Sequence, residues 1–138
     1  MEIALSSTHV PANRLSKRLW ISRTIQGFLL LFLLFDAVTK IIREPHVMEA
    51  SAQMGFPPAM IAGIGVALLA CTIVYVIPRT AILGALLLTA YLGGAVASQV
   101  RIAASPFSLV FPILFAILIW SELLLREERL RALLPLRD

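Results

Sequence analysis

The chain has 138 residues, 59% of them hydrophobic and 14% charged, with a net charge of +4. A water-soluble domain of this length cannot hide so much apolar surface, so the composition excludes an ordinary soluble enzyme or nucleic-acid-binding module and indicates one compact unit in a bilayer. The single cysteine, Cys71, excludes a disulfide, a CxxC redox pair and a cysteine-based zinc or iron–sulfur centre within one chain.

Residues 1–19 mix Ser, Thr, Pro and Asn with Arg14, Lys17 and Arg18, which predicts a disordered tail or a basic amphipathic turn. A signal peptide fits less well, because no small-x-small cleavage site follows and Asp36 and Lys40 interrupt the apolar run. The remainder, residues 20–138, reads as one four-helix transmembrane domain. Its first crossing is expected at about 21–42, ended by Pro45, which cannot continue a helix. Within residues 43–58, Val47, Ala50, Ser51 and Met54 recur on one helical face, with His46, Glu49 and Gln53 opposite. That spacing predicts a short interfacial helix closed by Gly55 and Pro57-Pro58.

The second crossing, 59–77, carries no charge. Pro78-Arg79-Thr80 is too short for anything but an antiparallel neighbour. The third crossing, 81–100, lies between Arg79 and Arg101 and is long enough for the ~30 Å apolar core of a bilayer. It carries Gly84, Ala85, Thr89, Gly93, Gly94 and Ala97, small residues near fourfold spacing that give a groove for helix packing. The same ridge could serve a homo-oligomer, although the short connections favour internal packing. A fourth crossing is expected at 107–125, with Pro112 one turn inside it and Trp120 as an interfacial anchor. The tail beyond it should continue helically to about Leu134, with Leu130, Leu133 and Leu134 on its apolar side.

The fold class is therefore all-α: an integral membrane four-helix bundle with an interfacial helix between its first two crossings. Orientation follows from basic residues. With both termini cytoplasmic, the inner side holds nine Lys and Arg, including Arg137, and the outer side holds Lys40, Arg43 and Arg101. The positive-inside rule then puts the N and C termini on the cytoplasmic side; it fits a bacterial or an organellar inner membrane equally, and a cell (inner) membrane is the expected location.

Three segments carry a family likeness: FDAVTKIIREPHVMEASAQMGFPP, IPRTAILGALLLTAYLGGAVASQVR and FPILFAILIWSELLLREERLRALLPLR. From about Arg23 to Arg137 the chain resembles the DoxX-like family of small bacterial membrane proteins. The resemblance implies a four-helix membrane fold. The wider family is named after a membrane subunit of a thiosulfate:quinone oxidoreductase, so the likeness also points to quinone-linked redox membership. It implies no catalytic residues.

Two polar groupings stand out. At the outer rim, Asp36 and Lys40 are one turn apart, Arg101 ends the third crossing, and His46, Glu49 and Gln53 lie in the covering loop. Ionisable groups at membrane depth are costly and face the bundle interior. Two readings stay open: a polar pocket for a quinone headgroup, an anion or a proton, or an ion pair locking the first crossing to the third. At the inner rim, Glu122 is expected to pair with Arg23 or Arg79. One histidine and one carboxylate in the loop are too few ligands for a metal. Nothing in the sequence would hold a haem or flavin, and quinone is the only cofactor suggested. The expected partners are the lipid bilayer and a membrane redox protein or a second copy, with no nucleic acid. The leading expectation is a non-enzymatic subunit or accessory of a membrane complex; a small-solute or proton carrier using the outer polar pocket is the alternative.

Overall fold

Proline and left-handed residues punctuate the chain at one end of the molecule. The computed structural model describes residues 12–134; residues 1–11 and 135–138, with most of the expected tail and Arg137, lie outside the described residues. Six helices follow in order: α1 (Ala12–Ile41), α2 (Pro45–Gln53), α3 (Pro58–Val76), α4 (Ala81–Arg101), α5 (Pro106–Arg126) and α6 (Glu128–Leu133). Pro45, Pro58 and Pro106 each open a helix, where the missing N–H is no loss and the fixed φ suits the first turn. Three helices end the same way. Arg43, Gly55 and Ala103 take positive φ, and the next amide reaches back five residues: Glu44 to the Thr39 carbonyl, Phe56 to Ser51, Ala104 to Gln99.

Four of these helices, α1, α3, α4 and α5, are long and apolar enough to cross a membrane. Only 22–28% of each apolar window is buried inside the protein, so most of the apolar surface faces outward, where lipid covers it. The protein is an integral, multi-pass membrane protein. Its helix α1 starts at Ala12, well before the expected Ile21, so residues 12–20 extend the first crossing instead of forming a separate tail. Its 30 residues span about 45 Å at 1.5 Å each, more than a bilayer core requires. At the other terminus the expected continuous helix breaks. Glu127 is extended (φ −101, ψ 103), and α6 turns back so that Leu130 packs into the core while Leu133 stays exposed.

The four crossings form a ring. Helix α1 packs on α3 and α5, and α4 packs on the same two. Helices α1 and α4 therefore stand at opposite corners. The order of neighbours along the chain is as expected, since α3 and α5 both flank α4. The expected lock between the first and third crossings is not made, because no helix face is shared between them.

Two glycines fix the closest approaches. A Cβ on Gly84 would lie 2.2 Å from the Tyr75 Cα and backbone nitrogen, so α4 touches the α3 backbone there. A Cβ on Gly65 would lie 2.8 Å from the Lys40 Cβ and 2.9 Å from the Ala37 carbonyl oxygen, so α3 touches α1. Helix α3 thus changes its tight partner along its length. It holds α4 near the chain termini and α1 near α2.

Candidate functional site

A cavity of about 740 Å³ lies at the α2 end of the bundle, lined by α1, α3, α4 and α5 beneath α2. This lies within the 300–1,000 Å³ range of small-molecule sites. Its floor is apolar, made by Leu33, Leu92 and Phe115, all buried. One wall is aromatic. Phe107, Phe111 and Phe115 recur at fourfold spacing on α5, and Phe32 of α1 joins them, with ring centroids 4.4 Å from Phe115 and 5.3 Å from Phe111. The facing wall is α4, where Ala90, Gly94 and Ser98 present little side chain. Helix α2 and the following turn cover the end with Ser51, Met54 and Phe56. The most exposed lining residues are Ala90 and Gly94 on α4 and Phe107 and Phe111 on α5. The cavity therefore meets its surroundings along the α4/α5 seam.

Polar groups gather at the α2 end of this cavity. Asp36 and Lys40 line it and pair with each other one turn apart on α1. The Lys40 side chain is only 16% exposed and the Asp36 side chain 32%. An unpaired ionisable side chain at membrane depth is costly, and the pairing of Lys40 with Asp36 offsets that cost. Gln99 and Ser108 add neutral polar groups. Pro112 has no N–H to give the Ser108 carbonyl one turn back, which leaves that oxygen an acceptor beside the cavity.

The other members of the expected outer cluster are elsewhere. His46, Glu49 and Gln53 are exposed on the outer face of α2. His46 Nδ1 lies 2.7 Å from Glu44 Oε1, while Glu44 Oε2 accepts the Val47 amide at 3.0 Å as the α2 N-cap. The contact holds the Glu44 carboxyl below its ordinary range and raises His46 above its own. Arg101 is exposed, with its guanidinium over Gly55, 2.9 Å from where a Cβ would stand. It does not reach Asp36, since α4 and α1 are diagonal.

The small-residue ridge of α4 divides at mid-membrane. Gly84 and Ala85 are buried against neighbours, and Thr89 accepts the Trp120 indole N–H at 2.8 Å while donating to the Ala85 carbonyl at 2.7 Å. Trp120 is thus an internal tie between α5 and α4, not the expected interfacial anchor. A buried indole N–H needs an acceptor, and Thr89 supplies it. Gly93, Gly94 and Ala97 are exposed; a Cβ on Gly93 or Gly94 would meet nothing within 4 Å. These three do not pack helices: Gly93 lies nine residues beyond Gly84, about two and a half turns, and so on the opposite face of α4, with Gly94 and Ala97 also turned away from α3.

Near the chain termini the bundle closes around Glu122, which has no exposed surface. Ser22 donates to its Oε1 at 2.9 Å and Tyr75 donates to its Oε2. Arg126 Nε lies 3.5 Å from Oε1, one turn along α5. One carboxylate therefore ties α1, α3 and α5. The expected partners Arg23 and Arg79 are both exposed and form no ion pair with it. A cation one turn along the same helix needs no interhelical geometry and is always in reach, which is why Arg126 takes the role.

Among the described residues, no three of His, Cys, Asp and Glu come together as a metal site requires. Sequence reasoning missed the aromatic wall, although Phe107, Phe111 and Phe115 show it by their spacing. It also missed Tyr75, whose role depends on a register no local pattern displays.

The sequence profile of the DoxX-like family matches residues 24–121. Comparison with curated proteins and with solved structures gave no match. The matched span starts about three turns into α1, ends on the residue before Glu122, and takes in α2, α3, α4 and most of α1 and α5. On that span the chain belongs to the DoxX-like family, as a multi-pass membrane protein.

Proposed function

We propose that the protein is a non-enzymatic membrane subunit that holds a small amphipathic molecule of the quinone class in the cavity beneath α2 and presents it to a redox partner. The observation that carries this reading is the lining: an aromatic and aliphatic floor, a charged pair and neutral polar groups at one end, and a side opening at the α4/α5 seam. A ring with polar substituents and an apolar tail has the same division. Its ring oxygens would find Lys40, Gln99 or Ser98 as donors, its ring would stack on Phe111 or Phe32, and its tail would leave through the seam.

The test is equilibrium binding of a decyl-tailed benzoquinone to the protein in lipid nanodiscs. Saturable binding near one per chain is expected, weakened about tenfold or more by Gly94→Leu, which puts a side chain into space now empty. Binding that rises without saturation, as for partition into lipid, would overturn the reading, as would a Gly94→Leu protein that binds normally. Purification in mild detergent should also recover a stoichiometric membrane partner. The carrier alternative predicts solute or proton flux through reconstituted vesicles that Asp36→Asn abolishes. The closed packing around Tyr75, Gly84 and Glu122 speaks against a through path, and such flux would replace the subunit reading.

A further inference from the structure

Ser51 differs from the other hydroxyl residues buried in this bundle. Within a helix, serine and threonine commonly give their proton to a carbonyl one turn back. Thr24, Thr72 and Thr89 do so, to Trp20, Leu68 and Ala85 at 2.7–2.9 Å. Ser51, in the last turn of α2, is only 6% exposed, yet its hydroxyl has no hydrogen-bond partner among the described residues. It lines the cavity beneath α2, and its oxygen keeps accessible surface there. The Tyr91 hydroxyl and the Gln99 amide, both on α4, line the same cavity and are also without a partner among those residues. A polar side chain buried without a partner marks a place where one belongs.

Unspent acceptors face the same space. Lys40 occupies only the Oδ1 of Asp36, and Oδ2 receives no hydrogen bond from a described residue. The Ser108 carbonyl has lost its helical donor to Pro112. Four helices, α1, α2, α4 and α5, thus each bring an uncommitted polar group to one cavity. Resting on the ring ligand proposed above, we infer that this site takes the reduced, dihydroxy form of that ring in preference to the dione, with Ser51 and Tyr91 as hydroxyl partners and Asp36 and Ser108 as acceptors. A dione oxygen only accepts. It would use Ser51, Tyr91 and Gln99 but leave Asp36 Oδ2 and the Ser108 carbonyl without a hydrogen. A ring hydroxyl both donates and accepts, so it serves both kinds of group. The preference is one of binding, and no bond is made or broken.

The test compares a decyl-tailed benzoquinone with its two-electron reduced form, without oxygen, on the protein in lipid nanodiscs. The reduced form should bind about tenfold tighter, as one added hydrogen bond to a charged acceptor provides. A mediated redox titration of the bound ligand should then show its midpoint potential raised by about 30 mV over that in empty nanodiscs, the equivalent of tenfold for two electrons. Asp36→Asn, whose amide can donate to a dione oxygen, should bring the two affinities to within about twofold. Ser51→Ala removes no hydrogen bond within the protein. Its melting temperature without ligand should match the wild type, while both forms bind about fivefold more weakly. Equal affinities in the wild type, or tighter binding of the dione, would overturn the preference and leave the ring ligand standing. Saturable binding of neither form would overturn both. A tenfold preference kept by Asp36→Asn, or normal binding by Ser51→Ala, would overturn the assignment of those residues.

Discussion

The two halves of the bundle are made from the same four helices and are packed in opposite ways. Near the chain termini, Gly84 lies on the Tyr75 backbone, and Glu122 collects hydrogen bonds from two other helices. Near α2, the same α4 presents Gly93 and Gly94 to open space. The difference teaches that small residues permit close approach without commanding it. In a bilayer no hydrophobic force drives helices together, so contact needs van der Waals fit and polar ties. The closed half has both. The open half has its one charged pair within a single helix, Asp36 to Lys40, and nothing polar that draws α4 inward.

The comparison breaks most readily at Glu122. Glu122→Ala should destabilise the protein by about 3–5 kcal/mol, because the buried Tyr75 and Ser22 hydroxyls lose their acceptor and Arg126 loses its counter-charge. Unfolding by denaturing detergent measures it, and an unchanged midpoint would show that the carboxylate is not the tie. Gly84→Ala should cost about 1–3 kcal/mol, since the new methyl meets backbone that cannot rotate away. Its counterpart in the open half, Gly93→Ala, should be neutral or stabilising by up to about 1 kcal/mol through helix propensity. Equal losses at the two glycines would mean that both halves are packed alike.

Two smaller effects belong to the connections at the α2 end of the bundle. Ala103→Gly should stabilise slightly, by about 0.5–1 kcal/mol, because a left-handed residue loses its Cβ penalty. The His46–Glu44 contact should show in the titration of the His46 ring by NMR. Protonated His46 is favoured, so its pKa should lie above the ordinary 6.5, and Glu44→Gln should return it there. The sign follows from the two shifts. The contribution of His46 is complete below its ordinary pKa and is lost as pH rises through the raised value. That of Glu44 is complete above its ordinary pKa and is lost as pH falls through the lowered one. The α2 cap is therefore firmest between the two, and a His46 pKa at or below 6.5 would remove the pair from the account.

Much of this molecule can be read without coordinates. Apolar runs, proline positions and short connections are local signals, and they yield four crossings, the α2 helix and the flanking of α4 by α3 and α5. Family membership follows from the same residues. Individual partners are less legible. Glu122 and Asp36 both read as buried acids needing a cation, and both take one from their own helix, at Arg126 and Lys40. Arg101 and Arg79 looked equally suitable in the sequence, yet the first lies over Gly55 and the second is exposed.

The sequence by itself determined the bilayer as solvent, the number of crossings and which residues could approach closely, because composition and periodicity act within a single helix. Only the tertiary structure decided which close approaches were used. Placing α1 diagonal to α4 removes the Asp36–Arg101 pairing, and the rotation of α4 turns Gly84 onto the α3 backbone and Gly93 and Gly94 away from any neighbour. Those outcomes depend on the relative rotation and tilt of four helices. No single segment carries that information, since a helix with small residues on several faces reads the same whichever of those faces meets a neighbour.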